Sequence, residues 1–180
     1  MNNEKLFVEI SPTEIGNAPK LIGEDWMLIT VKDESKASGA NAMTASWGFM
    51  GYIWKKNVAV VFIRPERYTY GLAEAEDRFS LAFFGSEHHD YMKLCGSKSG
   101  RDMDKIADSG LHTVELDGVP VIAEASLALV CRKIYIDDIK AENFLDSAPL
   151  AYYEKDGLHR VYVLEIEKAY VKDGGEYCKK

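Results

Sequence analysis

The sequence predicts an antiparallel, mainly β fold of barrel type. Long stretches either alternate apolar and polar residues or are continuously apolar, the helical stretches between them are few and short, and no regular strand–helix–strand succession supports a doubly wound sheet. At 180 residues, with 47% hydrophobic and 28% charged side chains, residues 1–180 read as one globular domain with a core of its own. Residues 1–20 read as an N-terminal extension and 172–180 as a frayed tail.

Taken in order, Asp25 to Asp33 is the first strand, with Trp26, Leu28, Thr30 and Lys32 on one side and Met27, Ile29, Val31 and Asp33 on the other. A turn at Glu34-Ser35-Lys36 leads to a second extended stretch, Asn41 to Trp47. The chain returns through Asn57 to Ile63, where Val58-Ala-Val-Val-Phe-Ile63 is apolar enough to be buried on both faces. Arg64-Pro65 ends that strand, because proline has no amide hydrogen to give to a ladder. Phe79 to Phe84 is a further short strand, and Glu124 to Ile136 a long one. In the last strand, Arg160 to Val171, Tyr162, Leu164 and Ile166 form a dry face while Glu165 and Glu167 lie on the wet one. Three helices are expected: Tyr68 to Asp77, Glu87 to Cys95 closed by Gly96, and Arg101 to Ser109 closed by Gly110.

Asn41-Ala-Met-Thr-Ala-Ser-Trp47 is the most informative segment. Ala42, Ala45 and Gly48 remove steric cover from the main chain, Thr44 and Ser46 bring hydroxyl donors, and Trp47 brings a broad apolar surface. The combination suits a flat aromatic ligand, and it equally suits an ordinary half-buried strand.

A second segment, Cys95 to Lys105, leads small residues into an expected helix start flanked by Lys98, Arg101 and Lys105. Ser99 is placed to cap that helix, with Asp102 three residues on as the acidic half of a capping box. Free amides at a helix start and three nearby cations favour an anion such as a phosphate, while a capped surface helix with solvated charges needs no ligand. In Arg64-Pro-Glu-Arg-Tyr-Thr69, two guanidinium groups and a phenol leave a buried strand together. They can grip a phosphate or carboxylate, or form a strand-end turn in which Glu66 pairs with an arginine.

Other chemistries lack their anchors. Neither the phosphate-loop spacing nor Gly-x-Gly-x-x-Gly after a strand is present, and no Gly-x-Ser-x-Gly elbow offers a nucleophile. His88 and His89 are adjacent and diverge on a helix, and His112 and His159 have no ligand at metal spacing, so a metal site is not expected. Cys95, Cys131 and Cys178 are odd in number and widely spaced, so neither a disulfide framework nor a zinc site is encoded. Cys131 reads as a core filler, Cys178 as part of a polar tail, and Cys95 as a conceivable reactive thiol without a histidine beside it. A net charge of -7 argues against nucleic acid as a partner. With no basic-then-apolar start and no apolar run of membrane-spanning length, the chain reads as a soluble cytoplasmic protein with no membrane partner. A ligand cradle without an evident acid, base, metal or nucleophile fits a cofactor that carries its own chemistry.

Together, Asp25-Trp-Met-Leu-Ile-Thr30, Asn41 to Trp47, Arg64 to Thr69 and Cys95 to Lys105 resemble the flavin reductase-like family, in particular its flavoredoxin-type branch, over about Leu21 to Val171. The resemblance implies an FMN-binding split β-barrel, antiparallel and Greek-key-like with a few short helices, usually a homodimer with a flavin near each subunit boundary. It implies electron transfer from NAD(P)H, or from a small redox protein, through the flavin to a small-molecule or protein acceptor. On this chain, Asn41, Met43, Thr44, Ala45, Ser46 and Trp47 would lie along the ring system and upper ribityl chain, with Thr44 and Ser46 hydrogen-bonding it. Arg64, Arg67 and Tyr68 would serve the phosphate end. The loop carrying Ser97, Lys98, Ser99, Gly100, Arg101 and Lys105 would close over the cofactor, either that of its own subunit or that of the partner. No side chain is expected to be catalytic, the flavin doing the chemistry, and Phe49 would alter access to one flavin face. The alternatives are an electron-transfer flavoprotein fed by a small iron protein, a flavin- or haem-binding module without turnover, and a thiol enzyme using Cys95.

Overall fold

The computed structural model describes residues 6–85 and 89–173, and over them the antiparallel β architecture is present. Strand β1 (Phe7–Ile10) and helix α1 (Ala18–Gly23) precede β2 (Met27–Lys32), β3 (Ala40–Ala45), β4 (Gly48–Ile53) and β5 (Lys56–Ile63). Helix α2 (Tyr68–Ala75), β6 (Arg78–Phe83), α3 (His89–Ser97) and α4 (Lys105–Asp108) follow. A small hairpin of β7 (Thr113–Leu116) and β8 (Val119–Ile122) then leads to the long strands β9 (Leu127–Asp138) and β10 (Arg160–Lys172).

The main sheet runs β3-β2-β6-β9-β10-β5-β4, with β1 pairing β10 off this path. Its two edge strands, β3 and β4, are consecutive in the chain and joined only by Ser46 and Trp47. Laid flat, six inter-strand steps of about 4.8 Å would hold them roughly 29 Å apart. Three residue steps from Ala45 to Gly48 reach at most about 11 Å. The sheet must therefore roll up until its edges meet. No ladder joins β3 to β4 among the described residues, so the barrel is split along that seam. Register shifts between Val163 and Leu164 and between Ile166 and Lys168 interrupt the β9–β10 ladder, the bulges that let two long strands coil.

Side-chain parity divides the core. Ile29, Val31, Met43, Ala59, Val61, Phe79, Leu81, Leu129 and Leu164 fill the barrel. Leu28, Ala42, Ala82, Ala128 and Val130 point the other way, onto Met92 and Cys95 of α3, Ile106 of α4 and the β7–β8 hairpin. Being buried on both faces, β2 and β6 keep their charged side chains, Lys32 and Arg78, at strand ends and bury only the hydroxyls of Thr30 and Ser80 among apolar residues, and each fully buried Leu, Ile or Phe contributes about 1.5–3 kcal/mol. In β10 the expected dry face is present, Tyr162 and Leu164 being fully buried.

Several local expectations are corrected. Only Lys105–Asp108 of the third expected helix is helical, and its cap is Asp104, whose carboxylate accepts from Ala107 N at 3.2 Å. Ser99 instead closes a tight turn, accepting from Arg101 N at 3.2 Å. The helix that Gly96 was expected to end runs on to Ser97, and the long strand begins at Leu127 rather than Glu124. Strands β1, β4, β7 and β8 had no counterpart among the strands expected from sequence. Gly48, expected to expose main chain to a ligand, is required by β5: a Cβ there would lie 2.5 Å from the Val60 carbonyl oxygen. Cys178, His88 and most of the tail lie outside the described residues.

Candidate functional site

The seam of the barrel opens into a cavity of about 270 Å³. Met43, Thr44 and Ala45 of β3 line it with Ser46 and Trp47 of the link, Phe62 and Arg64 at the end of β5, and Arg67 and His159. Because β3 has a partner on one side only, alternate backbone N–H and C=O groups on its other edge point into the seam with no ladder to satisfy them. Met43 and Ala45 direct their side chains into the barrel core, so the strand presents main chain rather than bulk to the cavity.

Thr44 is not the donor the sequence suggested. Its hydroxyl donates inward to the Met92 carbonyl of α3, leaving only oxygen lone pairs for a ligand. Gly96 packs on the same residue, a Cβ at that position lying 3.4 Å from Thr44 Cβ, so β3 and α3 are tied at this point.

Trp47 stands at one end of the cavity, 38% exposed, with its ring centroid 5.4 Å from Tyr152, 6.2 Å from Tyr153 and 5.0 Å from His159. The two tyrosines belong to a 3-10 segment, Ala148–Tyr153, between β9 and β10. Arg64 fastens this segment: it pairs with Asp156 at 2.6 Å, donates to the Tyr152 carbonyl at 2.9 Å and lies over the Tyr153 ring. Burial, then the neighbouring Arg64, pushes the His159 imidazole down to about 4, so it is neutral near pH 7.

A second cavity, of about 230 Å³, meets the first at Arg67. Tyr68 and Thr69 at the start of α2, Gly96 and Ser97 at the end of α3, and the Lys98–Arg101 turn line it together with Lys105. The ammonium of Lys105 is buried, donates to the Cys95 carbonyl at 3.1 Å and makes no ion pair among the described residues. Burial pushes its pKa down to about 8, with Arg67 and Lys36 adding repulsion. Gly100 admits the turn: a Cβ there would lie 2.2 Å from Asn41 Oδ1 and 2.5 Å from Tyr68 Cδ1. The Tyr68 hydroxyl donates to Asp33 at 2.9 Å, and Lys36 and Arg101 lie over its ring at 5.5 and 5.6 Å.

The structure thus gathers fourteen of the fifteen sequence-derived residues around two adjoining cavities, Met43 to Trp47 with Arg64 and Arg67 in one, and Arg67, Tyr68, Ser97 to Arg101 and Lys105 in the other. Asn41 lines neither: it is buried, and its amide donates to Thr69 at 2.8 Å, bracing β3 against α2. Arg64 sits with the aromatic residues and away from Lys105, and Glu66 accepts from Gly157 N at 3.0 Å rather than pairing with an arginine. Helix α4 adds little to the positive field of the second cavity, being one turn long and starting beneath an aspartate, whereas Arg67, Lys98, Arg101 and Lys105 line it. Cys95 is fully buried and its thiol is pushed up to about 11 by burial, which removes the nucleophile that a thiol mechanism needs. Sequence reasoning missed Phe62, His159 and the Tyr152-Tyr153 pair. Phe62 is the one half-exposed residue in an otherwise buried run of β5, and only the fold brings the others to Trp47.

A slot edged by the open side of β3 and adjoining a cavity where the buried Lys105 has no ion pair among the described residues has the shape and charge that suit a flat, anionic ligand. Among the described residues no group of three or more His, Cys, Asp or Glu is placed to hold a metal ion, and no helix is long and apolar enough to cross a membrane.

Comparison with known proteins bears on the fold and the family. The fold matches an FMN-binding domain of a flavin reductases-like enzyme from Shewanella baltica OS155 with a TM-score of 0.64, covering 93% of this chain and 78% of that one at 16% identity. It matches flavoredoxin of Desulfovibrio vulgaris (Miyazaki F) with a TM-score of 0.65, covering 83% and 70% at 20% identity. An uncharacterised protein of Aeropyrum pernix is 30% identical over 145 residues, 77% of this chain, and the chain spans about half (53%) of that relative's length. The family model for the flavin reductase like domain matches residues 22–179, and the chain belongs to that family.

Proposed function

We propose that this protein is an FMN-dependent oxidoreductase that takes electrons from NAD(P)H and passes them to a small-molecule or protein acceptor. The observation that carries the reading is Lys105, a buried ammonium with no ion pair among the described residues, in a cavity that shares Arg67 as a wall with the slot at the seam. A burial that lowers a lysine to about 8 is a standing cost, and a phosphate dianion offsets it. The residues present fit the group. Arg67, Ser97 to Arg101 and Lys105 would hold the phosphate, and the β3 edge with Ser46, Trp47 and Phe62 would hold the ring. Bound FMN would supply hydride and single-electron chemistry. The β3 main chain would orient the ring, His159 would offer it a neutral imidazole, and Trp47 with the 148–153 segment would shield it from water.

The same reading makes the whole chain one unit working in the cytoplasm as a homodimer with a flavin near each subunit boundary. In support, the edge strand β4 and its turn expose Phe49, Tyr52, Ile53 and Trp54, and Trp54 lies 6.1 Å from the exposed Tyr135 on β9. Phe49 packs near Phe62 at 6.4 Å without lining the slot.

Anaerobic mixing of FMN-loaded protein with NADH and with NADPH tests the reading. Loss of the oxidised flavin's visible absorbance with either nucleotide supports it. Binding of FMN without reduction by both nucleotides would instead assign the donor role to a small redox protein, and absence of FMN binding would overturn the reading. A streptomycete relative described as an NADH:FAD oxidoreductase, 15% identical with a TM-score of 0.61, makes FAD the necessary comparison ligand.

A further inference from the structure

We propose that a third cavity, beside Trp47, binds a neutral planar compound of one or two rings bearing carbonyl groups, of the quinone class. It is about 290 Å³ and is lined by Ile139, Phe144, Pro149, Tyr152 and Tyr153 together with Trp47 and Phe62. The last two also line the slot at the seam, so an occupant of this cavity sits against the same aromatic walls as the ring of the proposed flavin. The inference rests on the flavin reading for that adjacency, while the cavity stands without it.

Its chemistry selects the ligand. No lysine, arginine or carboxylate lines it, which leaves a charged group there without a partner. Arg64, which is adjacent, is already committed to Asp156 and the Tyr152 carbonyl. A wholly apolar cavity of about 150 Å³ holds a benzene ring, so about 290 Å³ suits two fused rings. Among its lining residues, Tyr153 is a donor whose hydrogen bonding fixes its direction. His159 is neutral, and its Nε2 accepts from Arg64 Nε at 3.4 Å, which places the imidazole proton on Nδ1. Nδ1, 3.2 Å from the Tyr153 oxygen, then donates to it and leaves the phenol proton free for a ligand carbonyl. The wall is built rather than loose: Arg64 pins the 148–153 segment, and Phe144 packs edge-on to Tyr153 at 6.1 Å.

The test is a titration with 2-methyl-1,4-naphthoquinone, followed by quenching of tryptophan fluorescence, on the whole protein with and without FMN. Saturable quenching is expected. Phe144→Asp, which puts an unpaired charge into the cavity, should weaken the quinone by about tenfold or more and leave FMN affinity within about twofold. A sulfonated naphthoquinone should bind wild type at least about tenfold more weakly than the neutral one. Circular dichroism of the variant excludes unfolding, and Pro149→Arg gives a second reading of the same wall. Quinone affinity indifferent to both substitutions would overturn the proposal. So would displacement of the quinone by NADP+ in a Phe144-dependent way, which assigns the cavity to the electron donor. FMN titration of the same samples separates the two readings: quinone bound without FMN removes the flavin reading alone, and FMN bound without quinone removes this one.

Discussion

Lys105 and Cys95 are joined by a 3.1 Å hydrogen bond from the buried ammonium to the cysteine carbonyl, and both residues are held away from their usual ionisation by burial, the lysine down to about 8 and the thiol up to about 11. The bond turns α3 and the start of α4 into the back wall of the cationic cavity. Among the described residues no carboxylate pairs with the lysine.

Lys105→Met keeps length and apolar volume while removing the charge. A charge-assisted hydrogen bond to a phosphate contributes about 1.5–3 kcal/mol, so FMN affinity should fall roughly 10- to 100-fold. Fluorescence titration of FMN against wild type and variant checks this.

The same lysine gives FMN binding a pH dependence. A bound dianion holds the ammonium protonated, so affinity should decline as pH rises through about 8, and the decline should vanish in Lys105→Met. The other groups facing this ammonium are Arg67 and Lys36, with Cys95 a neutral thiol over this range. Stability of the ligand-free protein runs the other way. The unfolded lysine keeps its proton to about 10.5 while the folded one releases it from about 8, so the burial penalty is full below pH 8 and is relieved as pH climbs through that window. FMN titrations and denaturant midpoints at pH 7 and pH 9 check both signs.

Gly100→Ala should disable the loop without unfolding the barrel. The added methyl would meet Asn41 Oδ1 and Tyr68 Cδ1, neither of which can retreat freely, since Asn41 is hydrogen-bonded to Thr69 and Tyr68 to Asp33. FMN affinity should drop by about tenfold or more, a shift of at least ~1.4 kcal/mol, while the thermal midpoint moves little.

Thr44→Val separates a structural from a ligand-binding hydroxyl. Because the hydroxyl donates to Met92, the variant should lose about 0.5–1.5 kcal/mol of stability, a few degrees in thermal midpoint, and bind FMN nearly as wild type does. A large loss of FMN affinity with unchanged stability would show that the hydroxyl serves the ligand after all.

Protonation of His159 should destabilise the fold in acid. Its folded pKa is depressed to about 4 against 6.5 for an unburied imidazole, so the unfolded chain takes up the proton first and stability falls as pH drops from about 6.5 to 4. His159→Gln should flatten that part of the profile, as read by denaturation midpoints at pH 7 and pH 4.5.

The strands that periodicity revealed were those with a buried face: β2, β5 and β6 are largely apolar because the barrel and the helical layer cover them, and β10 alternates because only one of its faces is covered. The edge strand β4 was obscure because it carries exposed Phe49, Tyr52 and Ile53, and its two-residue turn puts Trp54 and Lys55 at φ 52° and 58°, where sequence alone favours Asn-Gly. The β7–β8 hairpin was legible and overlooked: Asp117-Gly118, both at positive φ, is a strong turn signal between apolar runs. Within the site, Asn41 to Trp47 and the Lys98–Lys105 turn stood out because small residues beside an indole or cations are conspicuous. His159 and Tyr153 did not, because their meaning lies in the distance to Trp47, and no spacing in the chain encodes that.

FMN and riboflavin differ only in the phosphate, so their dissociation constants, measured side by side on wild type and Lys105→Met, bear most directly on the claim that one ligand spans the aromatic slot and the cationic turn. FMN should bind wild type at least about tenfold more tightly than riboflavin, and the gap should collapse in the variant. Equal affinity of wild type for both flavins, or an undiminished gap in Lys105→Met, would contradict it.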